Sequence, residues 1–290
     1  MKKPFCPSRH WISIALISAI TACGGGGGNT GSGGESGNVV TPPVVPVNPV
    51  TQALQTGDAS VLSKSDSTTL LQMATAIAKR YQQQQSSAIA DIFGDPSMNL
   101  TLSHGKQSAE INIASRTLGM PFLTADDGTG MAAISQIGNG RGLAYGADVL
   151  DWIANQRQET QHTALFTRAF NWVVTGKAAG PLPATVKYSV AGYDDADVKK
   201  MISNQGKTSQ AVSCDLTDSK NTCWQDADLM VFGRSVKDDA DLAATVRKYL
   251  SAGKAVIYMH SSWSDTPGAR KVVSGMGMTL EGSPGNYFAA

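Results

Sequence analysis

Ala255-Val-Ile-Tyr-Met259 is a strand-length run with no polar residue. A strand that is apolar on successive positions has no solvent face, because neighbouring side chains point to opposite sides of the sheet. Leu229-Met-Val-Phe232 repeats the pattern upstream, and Thr185-Val-Lys-Tyr-Ser-Val190 and Ser209-Gln-Ala-Val-Ser213 read as further strands. Helical segments separate them. Asp194 caps one running through Ile202, Asp238 caps another through Leu250 with Gly253 ending it, and Thr266 to Met276 forms a third. Alternation of this kind predicts a mostly parallel sheet covered on both faces. The expected architecture is a three-layer α/β sandwich, flavodoxin-like or glutamine-amidotransferase-like.

Working back towards the N-terminus, Ala132 to Ile137 and Gly142 to Tyr145 read as strands joined by the turn Gly138-Asn-Gly140. Val149 to Ile153 is a short helix. Ala164 to Val174 is a longer one, with a broad apolar face and Gly176 as its stop. Earlier still, apolar residues at 70, 73, 74, 77, 78 and 81 have helical spacing, and Ile89, Ile92 and Phe93 continue an apolar face up to Gly94. Asn99 to Leu102 and Glu110 to Ile113 alternate as two half-buried strands, giving a helical and β-hairpin segment ahead of the α/β unit. The predicted organisation is a leader over 1–22, a tether over 23–59, the helix and hairpin over 60–130, and the α/β domain over 131–290.

The leader resembles a bacterial lipoprotein signal peptide. Lys2 and Lys3 precede a short apolar core, Trp11 to Ile20, and Ile20-Thr-Ala-Cys23 is similar to a lipobox. The resemblance implies that Cys23 becomes the acylated N-terminus, and that Gly24 after it favours the outer membrane. Each buried methylene contributes about 0.8 kcal/mol, so several acyl chains make a durable anchor. The glycine run Gly24 to Gly28 and the Gly/Ser stretch through Asn38 form a flexible spacer. Thr41 to Pro49 is proline-dense and stiffer.

The remaining composition sets limits. Lys and Arg number 24 against 23 Asp and Glu, so no basic surface points to nucleic acid. Cys214 and Cys223 are the only cysteines after Cys23. In an oxidising envelope compartment they read as a disulfide closing a polar loop, a staple that contributes on the order of 2–3 kcal/mol. No His or third Cys lies beside them to complete a metal site.

Ligands of such sheets bind beyond the carboxyl ends of the strands. Three loops fall there: Tyr193-Asp-Asp195, Gly233-Arg-Ser235 and His260-Ser-Ser-Trp263. The candidate ligand-binding residues are therefore Tyr193, Asp194, Arg234, His260, Ser261 and Trp263. His260 with Ser261 or Ser262 supplies the residue types of a nucleophile and its base. No G-x-S-x-G elbow precedes them, however, and adjacent residues seldom face one another. Gly138-Asn-Gly-Arg-Gly142 lacks both the Lys-Ser/Thr ending of a P-loop and the third glycine of a dinucleotide fingerprint. It reads as a turn. Asp126-Asp-Gly128 also reads as a turn, and no H-E-x-x-H occurs in the 290 residues. No cofactor or metal is expected.

Ile137-Gly-Asn-Gly-Arg-Gly-Leu-Ala-Tyr-Gly-Ala-Asp148, together with Ala164 to Gly176, Ala255 to His260 and Gly285-Asn-Tyr287, is similar to the N-terminal region of exported M60-like (enhancin-like) metallopeptidases. Within that group it most resembles the immunomodulating metalloproteases. The resemblance extends over the whole body from about Ser60. It implies an accessory domain of enzymes that cleave beside O-glycosylated Ser or Thr with zinc held by H-E-x-x-H in another domain. It carries no catalytic residue onto this chain. Two functions are therefore expected in competition: a membrane-tethered module for glycoprotein or glycan, and a small α/β hydrolase built around His260.

Overall fold

The computed structural model describes residues 48–56, 59–94, 109–124, 128–156, 160–261 and 264–282. Cys23 with the leader, the tether up to residue 47, His104, the strand expected over 99–102, Asp126 and Asp127, Ser262, Trp263 and the closing Gly285-Asn-Tyr287 lie outside them. The chain forms two units, Met1–Ala74 and Thr75–Ala290.

In the first unit, α1 spans Pro49–Thr56. Asn48 begins it by accepting the Val50 N–H at 2.9 Å. Pro49, assigned from the sequence to a stiff spacer, is thus the first helical residue, a position where its missing N–H costs nothing. The helix α2 covers Lys64–Phe93, of which the residues up to Ala74 belong to this unit and those from Thr75 on to the second. It starts in a reciprocal cap in which Ser63 and Asp66 each accept the other's backbone N–H, both at 3.1 Å.

The second unit carries the sandwich. Its strands are β1 (Ala109–Ile113), β2 (Gly119–Thr124), β3 (Gly130–Ile137), β4 (Gly140–Tyr145), β5 (Thr185–Ala191), β6 (Thr208–Ala211), β7 (Leu229–Gly233), β8 (Ala255–Met259) and β9 (Met278–Gly282). The helices are α3 (Val149–Ala154), α4 (Thr160–Thr175), α5 (Asp195–Ser203), α6 (Leu242–Ser251) and α7 (Pro267–Gly275). The main sheet runs β2-β3-β4-β8-β7-β5-β6. From β4 to β6 every pairing is parallel, while β2, β3 and β4 form an antiparallel meander on one side. This is the expected three-layer α/β fold, extended by an antiparallel edge.

Every residue of β7 and of β8 is buried. Leu229, Val231, Ile257 and Met259 pack with α3, α4 and α5 on one face. Met230, Phe232, Val256 and Tyr258 pack with α6 and α7 on the other. The strand predicted over 110–113 is present as β1, and it pairs with the last strand, β9, not with a neighbouring hairpin arm among the described residues.

Three local expectations are corrected. Met73 and Ile77 of α2 are 48% and 37% exposed while Leu70, Ala74, Ala78 and Tyr81 are half-buried, so that face is only partly covered, and the buried residues of the helix are Gln85, Ala88 and Ile92. The helix predicted from Asp238 begins at Leu242, and Asp238 instead holds the Lys271 ammonium at 2.6 Å. The strands β2 and β9 were not anticipated.

Two arginines close helix ends. The Arg168 guanidinium donates to the Ile92 carbonyl at 2.6 Å at the end of α2. Arg141, on β4, donates to the carbonyls of Val173 at 2.9 Å and Val174 at 3.2 Å in the last turn of α4, and to that of Asn139 at 2.8 Å in the preceding turn. A cation there satisfies carbonyls that have no helical partner and complements the helix dipole.

Cys214 and Cys223 are bonded, with Cα atoms 5.6 Å apart. Their loop is docked on α6. Trp224 stacks on Tyr249 with centroids 4.9 Å apart, and the Tyr249 hydroxyl donates to the Leu216 carbonyl at 2.9 Å.

Lysine keeps the charge of Arg141 but not a planar fork able to serve three carbonyls. Arg141→Lys is expected to lower unfolding stability by about 1–3 kcal/mol, the cost of leaving part-buried carbonyls unpaired. Urea denaturation of the two proteins measures this. Equal midpoints would show that the fork adds nothing.

Candidate functional site

The strand order β8-β7-β5-β6 places a topological switch between β5 and β7, since α5 covers one face and α6 the other. In such sheets the crevice outside the switch point is the usual ligand position. Here backbone fills it. Gly192 follows β5 with φ +65°, and a Cβ on it would lie 2.1 Å from the Val236 nitrogen. A Cβ on Gly233 would lie 2.2 Å from the Gly192 carbonyl oxygen. Both positions need glycine because the two loops touch.

The polar groups at the strand ends form two clusters. In the first, Tyr193 is half-buried and its hydroxyl donates to the Asp148 carboxylate at 2.6 Å. Asp148 follows β4 and caps α3, accepting the Asp151 N–H at 3.2 Å. Asn155, at the end of α3, donates to Asp151 at 2.7 Å and to Asp197 of α5 at 2.9 Å, and accepts from the Lys200 ammonium at 2.9 Å. Burial pushes the Asp148 carboxyl up to about 6, with Asp151 and Asp197 adding repulsion against the hydrogen bonds that oppose it. Burial and the Asp148 charge push the Tyr193 phenol well above its usual range. At neutral pH Tyr193 therefore stays protonated and is the donor of the bond to Asp148.

In the second cluster, Arg234 after β7 donates to the Ser264 carbonyl at 2.5 Å and to its hydroxyl at 2.7 Å. The Arg234 carbonyl in turn accepts from the Thr266 hydroxyl at 2.8 Å, and Thr266 caps α7. Arg234 thus ties the loop after β8 to the loop after β7. His260 is fully buried, with Nδ1 at 2.8 Å from the Tyr258 hydroxyl.

The structure separates the residues singled out from the sequence. Tyr193 belongs to the network with Asp148. Asp194 is exposed and occupied as the N-cap of α5, accepting the Ala196 N–H at 2.9 Å. Arg234 is engaged with the loop at Ser264. His260 is enclosed in the core while Ser261 is exposed, and Trp263 lies outside the described residues. Nothing in this placement gives His260 the solvent-facing position of a general base. Asp148, Asp197 and Asn155 are the residues that sequence reasoning missed. An Asp three residues after a strand and ahead of a short helix is a cap in any sequence, and only the tertiary burial marks it out.

A profile described as immunomodulating metalloprotease N-terminal domain matches residues 88–287. The chain is 29% identical over 241 residues to the immunomodulating metalloprotease of Pseudomonas aeruginosa, covering 81% of this chain and 25% of that protein. It therefore spans about a quarter of the length of the curated relative it matches. Two solved structures are similar. One is IMPa from Pseudomonas aeruginosa in complex with an O-glycopeptide, at TM-score 0.61 and 28% identity over 81% of this chain and 26% of that one. The other is the IMPa metallopeptidase in complex with T-antigen, at TM-score 0.60 and 28% identity over 82% and 26%.

A carboxyl whose folded pKa stands above its unfolded value binds more protons in the folded state, so it opposes folding as pH rises. Between the ordinary value of 3.8 and about 6, the contribution of Asp148 to stability is expected to fall with rising pH and then level off. Asp148→Asn keeps an acceptor for Tyr193 and cannot titrate. Subtracting its urea-unfolding stability from wild type at pH 5, 6 and 7 isolates the effect. The difference should move against wild type from pH 5 to pH 7, and a flat difference would refute the assignment.

Proposed function

Because the chain belongs to the immunomodulating metalloprotease N-terminal domain family, we propose that it is a recognition module for O-glycosylated protein, held at the outer membrane by lipid on Cys23. The observation that carries this reading is the match over 81% of the chain to a structure in complex with an O-glycopeptide. The 290 residues contain no H-E-x-x-H with which to hold a catalytic zinc, so the part assigned to this chain is binding, and cleavage belongs to a metallopeptidase domain. The engaged state of Arg234 and the burial of His260 favour binding over hydrolysis at the strand ends. The leader, the lipobox and the spacer support the membrane tether: a flexible glycine run followed by a proline-dense segment holds the body clear of the lipid.

Two measurements test the two halves of the reading. Calorimetric titration of the full chain with an O-glycopeptide should show binding, and mass spectrometry of the same mixture should return the peptide intact. A cleaved peptide would overturn the non-catalytic role, and an absence of binding at two temperatures, where a heat-capacity change would expose any association, would overturn recognition. Separately, Cys23→Ala should move the protein from the membrane fraction to a soluble or unprocessed form, because the acyl chains provide most of the membrane affinity. A variant that still matured and sedimented with membranes would refute the anchor.

A further inference from the structure

The main sheet ends in two edge strands that are built differently. β2 carries Pro121, and its register shifts between Pro121 and Leu123 and again between Leu123 and Thr124. A proline and an irregular ladder are common means of blunting an edge against further pairing. β6 has neither. Thr208-Ser-Gln-Ala211 runs in unbroken parallel register with Thr185 to Tyr188 of β5, and no proline, glycine or charge interrupts it or the following Val212-Ser213.

In a parallel ladder the backbone groups of successive residues point alternately to the two sides of the strand. The Thr208 N–H donates to the Ala184 carbonyl at 3.0 Å and the Val212 N–H to the Tyr188 carbonyl at 2.7 Å, so the even-numbered residues face β5. Ser209 and Ala211 therefore turn their N–H and C=O groups away from the sheet. Neither backbone finds a hydrogen-bond partner among the described residues. Thr208, Gln210 and Ala211 are exposed and Ser209 is half-buried, so water and solutes reach this edge.

An open edge recognises a peptide by strand addition, in which main-chain hydrogen bonds give affinity and neighbouring side chains give selectivity. Thr208, Ser209, Gln210, Ala211 and Ser213 are small or polar and uncharged. They offer no apolar pocket to a large side chain and no counter-charge to an ionic one. Such an edge suits an extended, uncharged segment with short side chains, the composition of the Ser/Thr-rich chain that carries O-linked glycans. Side chains of an added strand point to the two faces of the sheet and not towards β6, so a sugar on a Ser or Thr hydroxyl leaves the backbone contact open.

We propose that the free edge of β6 binds the peptide backbone of an O-glycosylated segment as an added strand. The inference rests on the reading of the chain as a recognition module for O-glycosylated protein, and it assigns the contact to main chain, away from the strand-end loops. Ala211→Pro removes one outward N–H and leaves the ladder to β5 in place, since proline is tolerated on an edge where the N–H faces solvent.

The test uses the full chain, a Ser/Thr-rich O-glycopeptide, and the same glycopeptide N-methylated at alternate backbone nitrogens. Amide hydrogen exchange of Ser209 and Ala211, followed by NMR at saturating glycopeptide, is expected to slow by about tenfold, and the N-methylated form is expected to leave it unchanged. Ala211→Pro, its fold checked by thermal melt, is expected to bind the glycopeptide about tenfold more weakly. If that variant does not fold, the exchange measurement on wild type decides alone. Binding by wild type with no slowing at Ser209 and Ala211 would overturn the edge while leaving recognition in place. Equal binding of the N-methylated glycopeptide would overturn the main-chain contact. Failure of wild type to bind the glycopeptide at all would overturn the recognition reading and the edge with it.

Discussion

Every part of this architecture depends on the two-sided burial of β7 and β8. With side chains packed on both faces, neither strand has access to water for its backbone groups, and each must find a hydrogen-bonding strand on both edges. The sheet supplies them: β8 lies between β4 and β7, and β7 between β8 and β5. Helices must then cover both faces, and the chain must cross from one to the other. That crossing creates the switch between β5 and β7. The loops after the strands are the segments released from the hydrogen-bond ladder, and the strand-end polar groups are found on them.

The use made of those loops differs from that in a nucleotide-binding sheet. There, glycines at the switch let a phosphate approach the backbone. Here Gly192 and Gly233 let two loops approach each other. Arg234 is spent on the Ser264 loop and Tyr193 on Asp148, so the strand-end surface is cross-braced. This cross-bracing holds the strand-end loops to one another.

The sequence is informative where local pattern and tertiary role coincide. β7 and β8 are uninterrupted apolar runs because nothing polar is tolerated on either face, and Asp194 and Thr266 cap helices as their positions foretell. It misleads where several residues compete for one role. Asp238, Asp239 and Asp241 can each begin α6, and the choice falls on Asp241 because Asp238 is drawn to Lys271. β2 is hidden by Pro121, and Pro reads as a strand breaker unless the strand lies on an edge, as β2 does in the main sheet. Pro49 is hidden by its neighbours, since prolines in series suggest extended chain although the first turn of a helix accepts one.

The pairing of β1 with β9 also governs the order of assembly. Ala109 sits opposite Gly282 and Ile113 opposite Met278, so β1 finds its ladder partner only when roughly 170 further residues have been delivered, a non-local closure of the kind that slows folding. β3 and β4 already supply part of the packing around Ala109 and Ile111, but the ladder edge of β1 has no partner strand until β9 arrives. A chain exported in N-to-C order would spend that interval with an unpaired strand edge, the feature most prone to pairing with the wrong molecule. Completion of this body is therefore a late event set by the arrival of β9, and a nascent chain stalled anywhere short of it is a substrate for chaperones and proteases.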